Sequence, residues 1–151
     1  MQVSSYPVDS LVPHRQPMSL LDEIVSFDMA EGTLSAAFSA RREWAENWSA
    51  IEYMAQAAAA LVGAADREGG YDGPPKPGFL LGTRKLELDF PRFEPGRRYV
   101  ATARSVFVDG AAASFDCEIL DGERVLARAT LNAYRPEDIA AFMSSKTEGE
   151  K

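Results

Sequence analysis

The sequence predicts an α+β fold: one bent antiparallel sheet wrapped around one long central helix. Three observations predict it. Residues 48–65, from Trp48 through Ile51-Glu52-Tyr53-Met54-Ala55-Gln56 and an alanine run to Ala65, read as a helix apolar nearly all round. A helix without a polar face has to be enclosed on most sides. From Phe79 onward the periodicity changes to two, in four segments separated by turn residues. Two shorter strand-like segments precede the helix, so the order is two strands, helix, four strands. A sheet that alternates inward and outward along each strand supplies the enclosing face.

Each element has its own signal. Pro7, Pro13 and Pro17 punctuate residues 7–17 and predict a short helical turn followed by an extended segment. Leu20–Asp28 and Thr33–Ser39 predict paired strands, with Ala30-Glu31-Gly32 as the turn between them. The helix is entered through Glu43-Trp44-Ala45-Glu46-Asn47 and ends near Arg67, before a segment rich in glycine and proline. Arg84-Lys85-Leu86-Glu87-Leu88-Asp89-Phe90 alternates polar and apolar, as does part of Tyr99–Val108. Ala112–Leu120 and Arg124–Tyr134 flank an Asp121-Gly122 hairpin turn. Pro136–Met143 predicts a short terminal helix with Pro136 near its start, and 144–151 a frayed tail.

At 151 residues, 46% hydrophobic and 26% charged, the chain is expected to form a single domain over 1–151 with an ordinary core. No apolar run approaches the ~20 residues of a membrane span. Met1–Tyr6 lacks the basic start and apolar middle of a signal peptide, so a cytoplasmic location is expected. Sixteen Lys+Arg against 23 Asp+Glu, a net charge of −7, argue against a nucleic-acid binder. The one cysteine, Cys117, excludes an internal disulfide and a thiolate metal cluster, and reads as an inert strand residue.

Glu52 is the first candidate for chemistry. A carboxylate on an enclosed helix is costly unless it is paired, hydrogen-bonded, protonated or used. The competing reading is a structural acid, hydrogen-bonded to backbone or paired with Arg15 or Arg84. Gln56, one turn on, either orients the Glu52 carboxyl or satisfies a strand carbonyl. The alanine run allows a sheet or a second helix to approach closely, and equally leaves room for a ligand chain.

Three motifs follow one another: Leu11-Val12-Pro13-His14-Arg15-Gln16-Pro17-Met18-Ser19-Leu20-Leu21-Asp22, then Ile51–Ala57, then Phe79–Lys85 with Phe90–Gly96. In that order they resemble the "PHRxPxLLxD" opening, the central-helix "EAMAQA", and the "FxxGxxK" strand with its "RPVxPGD" exit of FabZ-type 3-hydroxyacyl-[acyl-carrier-protein] dehydratases of the hotdog fold. The match spans roughly residues 8 to 134, and the nearest look is to the ApeP-type branch of aryl polyene biosynthesis. One departure stands out. Where the family carries "HFPxxPxxPG" before the helix, this chain has Phe38–Asn47, without the histidine or the Pro-Gly. His14 is the single histidine.

The resemblance implies dehydration of 3-hydroxyacyl carrier-protein thioesters to trans-2-enoyl products, with His14 and Glu52 as the catalytic pair. An imidazole suits removal of the proton beside the carbonyl, and a carboxyl against an apolar wall suits donation to the departing hydroxyl. Free amides around Asn47–Ala50 at the helix start would hold the thioester oxygen. His14 is alternatively a brace for the N-terminal segment. Gln56, Trp48, Ser49, Gly82 and Phe79 are expected to bind substrate. Trp44 and Trp48 otherwise close the core, and Gly82 otherwise marks a strand bulge. Arg41, Arg42, Arg84 and Lys85 are expected to contact an acidic acyl carrier protein, which would deliver its phosphopantetheine arm. No metal or redox cofactor is implied. The sheet edges call for a homodimer or a heterodimer with another hotdog dehydratase. Two rivals share the fold: a non-catalytic subunit that pairs with an active dehydratase, and an acyl thioesterase.

Overall fold

A computed structural model describes residues 2–3, 6–13, 18–76 and 78–135, with Gln2, Val3 and Phe79 described by backbone alone. His14, Arg15 and the expected helix and tail beyond Arg135 lie outside these residues. Strands β1 (Gln2–Val3), β2 (Glu23–Asp28), β3 (Thr33–Ser39), β4 (Phe79–Leu88), β5 (Arg98–Asp109), β6 (Ala112–Asp121) and β7 (Arg124–Tyr134) form one antiparallel sheet. The order across the sheet is β1-β2-β3-β5-β6-β7-β4. Helix α1 (Ala50–Glu68) packs against β3, β5, β6 and β7. The expected architecture is thus the observed one, and the crossing from β4 to β5 passes over the full breadth of the β5-β6-β7 ladder.

Apolar contact holds helix to sheet. Met54, Ala57, Ala60, Leu61 and Ala64 of α1 are buried against inward residues such as Ala101, Cys117, Ile119 and Leu131. Alanines at 57, 60 and 64 let the helix axis lie close to the strands, so the run serves packing on this side. An aromatic knot closes the entry to the helix. Phe38 stacks on Tyr53 at 3.8 Å, and Phe93 meets both rings edge-on. The second contact of α1 is with the N-terminal segment, where a 3-10 turn at Val8–Ser10 leads into Leu11 and Val12. A Cβ on Gly63 would lie 2.2 Å from the Leu11 carbonyl oxygen, so only glycine permits this approach.

Three boundaries differ from expectation. The first long strand begins at Glu23 rather than Leu20, because the Leu20 N–H donates to Gln56 Oε1 instead of to a neighbouring strand. Trp48 and Ser49 belong to a 3-10 turn (Asn47–Ser49) that winds into α1, so the helix proper starts at Ala50. In β4 the alternation read over Arg84–Leu88 is broken. The pairing with β7 slips between Arg84 and Glu87, Lys85 takes φ 53°, and Leu86 is exposed. Bulges of this kind are common on edge strands, where the missing ladder neighbour leaves room for the extra residue.

Candidate active site

Glu52 stands on the first turn of α1. It is half-buried and lines an elongated cavity of about 850 Å³ between the helix and the concave face of the sheet. Glu52, Ala55, Ala59, Val62 and Asp66 follow each other at three- and four-residue steps and share one helical face along this cavity. Leu131 and Ala133 of β7, with Phe115 of β6, form part of the facing wall. The stretch of wall beyond Glu52 is therefore mostly hydrocarbon, and the outer alanines of the run do leave ligand-sized space.

Gln56 holds the Glu52 carboxylate. Its Nε2 donates to Glu52 Oε1 at 3.1 Å and to the Met18 carbonyl at 2.7 Å, while its Oε1 accepts from the Leu20 N–H at 2.9 Å. The amide is fully buried and both donors and its oxygen are engaged. Both roles expected of Gln56 are present, with a loop carbonyl in place of a strand carbonyl. The same bonds draw Met18–Leu20, four residues after His14 in the sequence, against the second turn of the helix. Pro13 lies on the cavity wall with Glu52.

The amides expected at the helix start are partly engaged. Ser49 N–H donates to Glu46 at 3.0 Å and Ala50 N–H to Asn47, because the 3-10 turn continues into the helix. Ser49 is buried, and its Oγ has no hydrogen-bond partner among the described residues. Trp48 is 58% exposed and meets Trp44 edge-on at 6.5 Å. Trp44 is half-buried against the core, and neither indole is on the cavity wall. Gly82 sits at the β4 bulge between Leu80 and Gly82, and a Cβ there would meet no described atom within 4 Å. The bulge reading accounts for it within the chain. Phe79 opens β4 opposite Tyr134.

The four expected carrier contacts are scattered. Arg41 is half-buried and its guanidinium donates to the Ser19 carbonyl. Arg42 is exposed after the β3 exit, and Arg84 and Lys85 are exposed on the β4 edge. The cations on the cavity wall, among the described residues, are Lys76 and Arg135, which sequence reasoning missed. Arg135 follows the last strand, and Lys76 sits in the glycine- and proline-rich segment; neither carried a motif. Cys117 is buried beneath Met54, and burial, reinforced by Asp116, pushes its thiol up to about 12.

A helix cradled by a bent antiparallel sheet, with an acid on its first turn facing a long apolar cavity, defines a hotdog-fold protein. The family model for ApeP-like dehydratases, described as ApeP dehydratase, matches residues 6–144, and the chain belongs to that family. It is similar to a chain of the dehydratase heterocomplex ApeI:P from Xenorhabdus doucetiae, with 25% identity, a TM-score of 0.81, and coverage of 93% of this chain and 97% of that one. The HP0420 homologue from Helicobacter felis shares the fold at 13% identity and a TM-score of 0.63, covering 87% and 89% of the two chains. So does the E. coli PaaI protein, at 14% identity, a TM-score of 0.56 and coverage of 75% and 82%. No curated protein matches the sequence. No described helix is long and apolar enough to cross a membrane.

Proposed function

We propose that this protein dehydrates 3-hydroxyacyl thioesters presented by an acyl carrier protein, yielding trans-2-enoyl thioesters for aryl polyene or related fatty acid assembly. The observation that carries the reading is the Glu52 carboxylate, oriented by a buried amide at one end of a long apolar cavity. In the elimination, the imidazole of His14 takes the proton from C2 while the Glu52 carboxyl gives a proton to the departing C3 hydroxyl, which leaves as water. The C2–H electron pair becomes the new double bond. The acyl chain beyond C3 runs along Ala55, Ala59 and Val62. The carrier protein supplies the thioester on its phosphopantetheine arm, and Arg42, Arg84 and Lys85 supply exposed charge to meet its acidic surface.

The protein works as a dimer with a second hotdog subunit, in keeping with the ApeI:P heterocomplex to which it is similar. The edge strand β4 carries exposed Leu80, Leu81 and Leu86, an arrangement that invites pairing. The test is the purified chain, alone and with its partner subunit, given 3-hydroxyacyl-carrier substrate beside His14→Ala and Glu52→Gln. Enoyl product lost in both variants supports the assignment.

One specific observation favours a second reading, that of a non-catalytic subunit shaping a partner's site: the segment before α1 lacks the family histidine. In that case the wild-type chain is inactive alone, and the reconstituted complex keeps full rate with His14→Ala and Glu52→Gln.

A further inference from the structure

We propose that the Asp66–Arg135 ion pair is the end stop of the acyl channel and sets the longest chain this protein accepts. The inference rests on the reading of the cavity as an acyl channel. Asp66 is the last member of the helical face that begins with Glu52, and Arg135 meets it on the same cavity wall. The guanidinium forms a two-pronged contact with both Asp66 carboxylate oxygens, one prong 3.1 Å long. Side-chain exposures are 18% for Asp66 and 31% for Arg135, so both charges are largely shielded from solvent where they line the cavity. It is anchored at its base as well, because the Arg135 N–H donates to the Ala111 carbonyl at 2.8 Å, and Ala111 also lines the cavity.

Between Glu52 and this pair the helical wall offers only hydrocarbon, from Ala55, Ala59 and Val62. A growing aliphatic chain therefore gains contact with each added methylene until its end reaches the ion pair. Further growth must separate two charges in partly apolar surroundings and leave each without its partner, since a methyl terminus replaces neither hydrogen bond. From Glu52 to Asp66 the helix rises about 21 Å, close to the span of an extended hexadecanoyl chain. The two ends of the channel thus differ in kind: an oriented carboxylate for chemistry at one, a closed ion pair for measurement at the other.

Two experiments test this on the full chain. The first measures binding of saturated acyl-pantetheine thioesters, octanoyl to eicosanoyl, by calorimetry. Affinity should climb to about hexadecanoyl and fall at least tenfold for eicosanoyl. Asp66→Ala/Arg135→Ala, which removes both charges together, should abolish that fall. The second needs no variant: a hexadecanoyl thioester with a terminal diazirine, irradiated in the wild-type protein, should label peptides carrying Asp66 or Arg135. If the wild type binds no chain of any length, the acyl-channel reading itself fails. If chains bind but the profile is the same in the double variant, or the label falls on Glu52 and its neighbours, the end stop alone is overturned. Should the double variant not fold, the labelling result decides.

Discussion

Gln56 donates to Glu52 across one turn of α1, Nε2 to Oε1 at 3.1 Å, and the same nitrogen donates to the Met18 carbonyl at 2.7 Å. The carboxylate is therefore oriented by a group that also ties down the segment continuing from the only histidine. A side chain with rotamers of its own becomes a fixed acid, because its partner has no spare bonding capacity.

Gln56→Leu should lower stability. It keeps an apolar side chain of similar reach but strands the Leu20 N–H and the Met18 carbonyl, for a loss of about 2–4 kcal/mol. Urea denaturation should report a lower midpoint with unchanged slope. Glu52→Gln, by contrast, keeps a hydrogen-bonding partner for Gln56 and should melt within a few degrees of wild type.

Gly63→Ala should be destabilising by about 1–3 kcal/mol. The added Cβ would lie 2.2 Å from the Leu11 carbonyl oxygen, and backbone on both sides has to move. Limited proteolysis of the native protein should then cut near Leu11 and Val12, which wild type protects by burial. Equal protection in the variant would contradict the close approach.

Alkaline pH should expose the burial of Cys117. Its thiol stands at about 12 in the folded chain, against 9.0 for an ordinary cysteine. Between those values the unfolded chain has lost the proton and the native one has kept it, so stability falls as pH rises through this window and is unaffected below it. Tyr53, raised by burial too, adds to the same limb above its ordinary 10.0. Cys117→Ala should make the loss shallower, and native protein should resist thiol alkylation at neutral pH.

Leu81→Lys should weaken assembly and leave the protomer folded. Leu81 is 67% exposed on the edge strand β4, so a charge there costs the single chain little, while an apposed subunit would have to bury it. Analytical ultracentrifugation of variant and wild type, alone and with the partner subunit, measures the effect.

Much of the fold was legible in the sequence because its signals are local. The apolar 48–65 stretch, the period-two segments after Phe79 and the turns at Gly32 and Gly122, both with positive φ, lie where the residues alone put them. The β4 bulge was not legible. Arg84–Leu88 has clean alternation, and only the pairing with β7 decides that Lys85 and Leu86 fall out of register. Nor was the true helix start, because Trp48 and Ser49 are compatible with either helical form and the 3-10 bonds to Glu46 and Asn47 settle it.

The site divides along the same line. Sequence alone determined that an acid and an amide share one helical face, since a spacing of four fixes that whatever surrounds them. It also determined the family motifs and the loss of the histidine before the helix. Only the tertiary structure decided that Gln56 reaches both Glu52 and Met18, and that Arg135 closes on Asp66 from 69 residues away. Contacts of that kind depend on where the sheet curls back over the helix, and no local pattern encodes the curl.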